Sequence, residues 1–129
     1  MRTYNPNLAP DPEVWLELDE GLRISLASQW HKRARVKLPN RQLHAALHVI
    51  VENQIAQNLE CVTKAMPRLM SQGLSRHDAI HAISWIFVTQ IYDKLSGDLS
   101  TDQVHQLQAN YEAEVERLTA EAWLKQERS

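Results

Sequence analysis

A single cysteine, Cys61, leaves this chain with no possible internal disulfide, so a reducing compartment is the default expectation. Glycine is scarce, with three in 129 residues, and the five prolines fall mostly at plausible element boundaries. That scarcity disfavours a turn-rich sheet protein and suits helices. No apolar run approaches the ~20 residues that a membrane-spanning helix needs. The opening MRTYNPNLAPDPE lacks the apolar core of a secretory signal. Charge of one sign is also missing. The net is −2, which gives no general attraction for nucleic acid. A cytoplasmic, bacterial-type domain follows as the expectation, with no membrane attachment and no organic cofactor indicated.

Apolar spacing and capping residues do most of the remaining work. Residues 1–11 read as an extended lead-in. Asp11 followed by Pro12 opens a short helix through Val14, Trp15 and Leu18, with proline at the first helical position. Asp19 caps a second helix carrying Leu22, Leu26 and Trp30, which must stop near Leu38 because Pro39 disfavours helix before it. A third spans about 41–58 with Leu43, Leu47, Ile50, Val51 and Ile55 on one face. A fourth, about 60–72, contains Pro67, which predicts a kink or a restart, and Gly73 closes it. Ser75 with Asp78 resembles a capping box and opens a fifth helix to about Leu95. Ser100 or Thr101 caps the last, 100–125, whose Val104, Leu107, Tyr111, Val115, Leu118 and Ala122 have the spacing of a short coiled-coil seam. The expected fold is all-α: one domain, residues 1–129, an irregular bundle of five or six helices. Its last helix packs on the body or pairs with a second subunit as a homodimer.

Two histidine pairs stand out against this background. His44 and His48 lie four apart in LHAALHVIVENQ, and His77 and His81 repeat the spacing in SRHDAIHAISWI. On a helix, that spacing places two imidazoles on one face about a turn apart. Neutral imidazole is a good ligand for zinc, iron or nickel, and two pairs on packed helices supply four nitrogens to one ion. Wheel arithmetic puts the apolar stripe of the third helix along Leu47 and Val51, with His44 and His48 on its shoulder and Glu52 next on the same ridge. His77 and His81 sit likewise beside a stripe centred on Ile80, Phe87 and Ile91. Glu52 is therefore a candidate further ligand, and Asp78 a candidate acceptor orienting an imidazole from behind. Four histidines close a shell in the manner of structural sites. Three with Glu52 or water leave room for metal-activated water, with Glu52 or Asp78 handling protons. The competing reading is that these are half-buried histidines hydrogen-bonded within a metal-free core.

Two known templates fit poorly. His77-Asp78-Ala79-Ile80-His81 is an aspartate variant of the zinc-peptidase H-E-x-x-H helix, but no downstream third-ligand motif follows. The di-iron hemerythrin arrangement would use His31, His48, Glu52, His77, His81 and His105. It fails at the end of the chain, where Asn110 stands in the place of a bridging carboxylate. The only basic cluster, Lys32, Arg33, Arg35 and Lys37 with Arg41, supports an alternative function. That alternative is a metal-free interaction module that meets RNA or a protein through this segment or the last helix. The absence of interleaved aromatics argues against nucleic acid.

The motifs HAALHVIVENQ and RHDAIHAI, with the opening NPNLAPDPEVWLELDEGLRI, resemble a bacterial family of small proteins known only as a domain of unknown function. The resemblance covers about residues 5–95. It implies a helical bacterial protein and draws attention to the four paired histidines without supplying an activity. The family often has Glu where this chain has Asp78, which weakens a catalytic role for that position.

Overall fold

The computed structural model describes residues 1, 3–33, 40–94 and 97–128. The chain is all-α. Among the described residues there are seven α-helices, one 3-10 turn and no strand. They are α1 (Pro12–Glu17), α2 (Glu20–Arg33), α3 (Arg41–Ala56), α4 (Glu60–Ser71), α5 (Arg76–Gln90), α6 (Thr101–Arg117) and α7 (Ala120–Arg128), with the turn at Tyr92–Lys94. The chain divides into two compact units, Met1–Leu59 and Glu60–Ser129. Among the described residues, no helix is long and apolar enough to cross a membrane.

The first unit holds α1, α2 and α3, with both shorter partners packed on α3. Local chemistry fixes each start. Asp11 Oδ1 accepts the amide N–H groups of Glu13 and Val14 (3.0 and 3.2 Å), while Pro12 occupies a position that needs no donor. Asp19 accepts from the Gly21 amide at 3.0 Å, and Asn40 from that of Leu43 at 3.0 Å. At the end of α3, Asn58 adopts φ 60° and lets the Leu59 amide reach back to the Gln54 carbonyl, 2.9 Å. Asparagine tolerates this left-handed conformation better than most residues. Tyr4, Trp15, Leu26, Ala27, Ala45 and Val49 form the core, with Leu18, Ile24, Trp30 and Ala56 packed around it. Three elements meet at Asn53. Its Oδ1 accepts from the indole Nε1 of Trp15 (2.9 Å) and from Arg23 (3.0 Å), whose guanidinium also donates to the carbonyls of Leu16 and Leu18.

The second unit packs α4, α5 and α6 against one another, with α7 against α5. Val62, Ala65, Leu69, Ala79, Ile80, Ile83, Tyr111 and Val115 are fully buried there. Each large aliphatic among them contributes about 1.5–3 kcal/mol of burial. Helix α4 runs through Pro67 without a restart. Ser100 makes a full capping box with Gln103. The expected helix over 100–125 is instead two. Leu118 is extended (ψ 135°), Thr119 Oγ1 accepts the Ala122 amide at 3.1 Å, and α7 begins anew. Partners from α4 hold the break open. Arg68 donates to the carbonyls of Val115 and Leu118 (2.9 and 3.1 Å), and the neighbouring Gln72 side chain accepts the Ala120 amide at 2.8 Å. The seam spacing continues through this point, but Ala122 is exposed while Ala120 and Trp123 are buried.

Candidate metal centre

Helix α3 departs from its helical-wheel reading in an informative way. Its buried positions are Ala45, His48, Val49, Val51 and Glu52, so Val51 of the expected face is buried as read, whereas Leu43, Leu47 and Ile50 are only half-buried. The polar pair lies at the centre of the buried face rather than on its shoulder. Burying such groups is costly unless they are hydrogen-bonded. Tyr4 meets that need: its hydroxyl donates to Glu52 Oε2 at 2.6 Å and lies 3.3 Å from His48 Nδ1. Tyr4, His48 and Glu52 are all 2% exposed or less.

Helix α2 contributes a third imidazole to this face. His31 is completely buried, and its ring centroid lies 4.4 Å from that of His44 and 4.5 Å from that of His48. His44 and His48 are 4.9 Å apart. Trp30 stands edge-on to His31 at 5.0 Å. The His31 Nδ1 is 2.7 Å from the Ala27 carbonyl oxygen. A carbonyl only accepts, so Nδ1 carries the proton and Nε2 carries the lone pair. Burial lowers the pKa of His31, and the Arg41 charge lowers it further, against an opposing contribution from the Ala27 bond. Neutral imidazole is the form that binds a metal.

In the second unit, His77 and His81 follow the Ser75 cap of α5, their rings 4.2 Å apart and both half-buried. Within the first unit the rings of His31, His44 and His48 form a compact group of nitrogen donors, compatible with metal binding. His77 and His81 form a close pair within the second unit. His31 is the addition to the four histidines read from the sequence. Read from the sequence within a basic run, His31 had entered only through the hemerythrin-like spacing. Having no i±4 histidine on its own helix, it carries little sequence signal.

The other sequence candidates are placed as follows. The Glu52 carboxyl oxygen accepts from Tyr4, whose hydroxyl also lies against His48. Asp78 occupies the first turn of α5, half-buried, its amide donating to Ser75 Oγ. His105 is exposed on α6. Of the basic segment, Arg41 is exposed at the start of α3 and Lys32 and Arg33 close α2, while Arg35 and Lys37 lie outside the described residues. Comparison with protein families, curated proteins and solved structures gives no match for this chain.

Proposed function

We infer that this protein binds one divalent transition-metal ion through histidine imidazoles. The observation that carries the reading is the convergence of His31, His44 and His48 on the buried face between α2 and α3, with the His31 proton committed to a backbone carbonyl. The sequence repeats the pair spacing at His77 and His81 on α5, whose rings lie 4.2 Å apart. Metal–imidazole bonds of about 2.1 Å put opposite nitrogens about 4.2 Å apart across an ion. The His31, His44 and His48 rings, with centroids 4.4, 4.5 and 4.9 Å apart, are close enough to share a single ion. An all-nitrogen set favours zinc, nickel or ferrous iron over magnesium or calcium, which prefer oxygen.

The test is elemental mass spectrometry on tag-free protein purified without chelator, beside His31→Ala and a His48→Ala/His81→Ala double variant. Near-stoichiometric zinc, iron or nickel in the wild type, lost in the double variant, supports the reading. At a free ion concentration of 100 times Kd, binding stabilises the fold by about 2.7 kcal/mol, a shift of several degrees in Tm. No bound metal, together with no thermal shift on adding each of the three ions, overturns it.

A further inference from the structure

The Tyr4–Glu52 pair has no part in metal ligation as described, yet it is buried directly against a ligand candidate. We propose that Tyr4 and Glu52 act as positioning residues that fix the tautomer of His48, so that its Nε2, not its Nδ1, faces the ion. The proposal rests on the metal reading for its purpose, but its structural content stands without a metal.

The argument is proton accounting. Tyr4 has one hydroxyl proton, and the short 2.6 Å contact assigns it to Glu52 Oε2. The phenol oxygen is then left with lone pairs toward His48. His48 Nδ1, 3.3 Å away, makes a favourable contact there only as an N–H donor. A neutral imidazole has one N–H, so the lone pair falls on Nε2. His31 reaches the same state by a different route, through the Ala27 carbonyl. Two neighbouring imidazoles are thus prepared alike, one by backbone and one by a buried carboxyl–phenol relay. Pre-setting the tautomer removes a rearrangement that metal binding would otherwise have to drive, and partners of this kind typically change metal affinity 10–100-fold. Tyr4 belongs to the non-helical lead-in, so the device joins the start of the chain to α3.

Long-range 1H–15N correlation of the imidazoles in full-length, metal-free protein, at a pH where they are neutral, reads the tautomer directly. The wild type should show His48 protonated at Nδ1. Tyr4→Phe removes the acceptor and should shift His48 toward the Nε2–H form. Glu52→Gln keeps an oxygen that can accept from Tyr4, and should retain the wild-type tautomer. In parallel, zinc affinity by chelator competition should fall about 10–100-fold in Tyr4→Phe and less in Glu52→Gln. An Nε2–H His48 in the wild type overturns the proposal and needs no variant to be seen. So does an unchanged tautomer in a folded Tyr4→Phe protein. If the tautomer responds as expected while the wild type binds no metal, the positioning role stands and the metal reading fails.

Discussion

Replacing Asn53 by alanine should destabilise the first unit through hydrogen bonds to Trp15 and Arg23. Trp15 is 1% exposed, and its indole N–H donates to Asn53 Oδ1 at 2.9 Å. Alanine leaves that donor buried without an acceptor, at a cost of about 1–3 kcal/mol. Arg23 loses a second bond to the same oxygen but keeps the Leu16 and Leu18 carbonyls and is half-exposed, so its share is about 0.5 kcal/mol or less. Lost packing adds a small increment, giving a total of about 2–3 kcal/mol. With a urea m-value of ~1.5 kcal/mol/M, the unfolding midpoint followed by helical circular dichroism should drop by roughly 1.3–2 M. Asn53→Asp keeps an acceptor for both donors and places a negative charge by Arg23, so it should stay within about 0.5 kcal/mol of wild type. A loss under about 0.5 kcal/mol for the alanine variant refutes the reasoning. Equal destabilisation by both substitutions does so as well.

Three further outcomes follow from other parts of the molecule. Arg68→Met removes the guanidinium from the carbonyls of Val115 and Leu118 and should cost about 2 kcal/mol, with amide exchange in α7 rising first; Arg68→Lys should recover less than half, because both bonds come from the terminal Nη2 and the shorter lysine stem places its ammonium short of that position. Uniform exchange across α6 and α7 in Arg68→Met would show that the break needs no such support. The Cys61 thiol is pushed up to about 11, chiefly by burial and further by Glu112 and Glu116, so at pH 8 its reaction with a disulfide reagent should run at least ~100-fold slower than that of a free thiol. A rate near that of free cysteine would contradict this. Because the pKa of His31 is lowered in the fold, the unfolded state takes up protons first as pH falls below 6.5. The contribution of His31 to stability is therefore complete above that pH and declines below it, toward the depressed folded value. The urea midpoint of metal-free protein should fall between pH 7 and 5, and less so in His31→Gln; parallel profiles would remove His31 from the account.

Much of the helical framework was legible because it rests on local chemistry. Asp11, Asp19, Ser75 and Ser100 each cap within their own turn, and their side chains need no distant partner to do so. The break at Leu118 was not legible, since apolar spacing runs straight through it and its support comes from Arg68 and Gln72, nearly fifty residues earlier. The paired histidines announced themselves by periodicity, a property of one helix. His31 joins His44 and His48 through the packing of α2 on α3, which a single-helix pattern does not encode. Tyr4 was hidden for a similar reason. A lone aromatic in a polar lead-in looks incidental until Glu52 and His48 are seen beside it. The wheel reading of α3 weighted its leucines and so rotated the buried face away from two polar residues whose burial depends on that tyrosine.

The edge-on stacking of Trp30 against His31 gives the candidate centre an optical reporter within the native sequence. An excited indole whose neighbour ligates an ion with an open d shell, such as nickel, loses its excitation to that ion. Zinc has a filled shell and no redox chemistry, and leaves the emission comparatively intact. Trp30 is one of four tryptophans, so quenching at that ring alone would remove a fraction of the fluorescence rather than all of it. Titration of the unlabelled chain would thus report both occupancy and the electronic class of the occupant, with Trp30→Phe as the spectral blank.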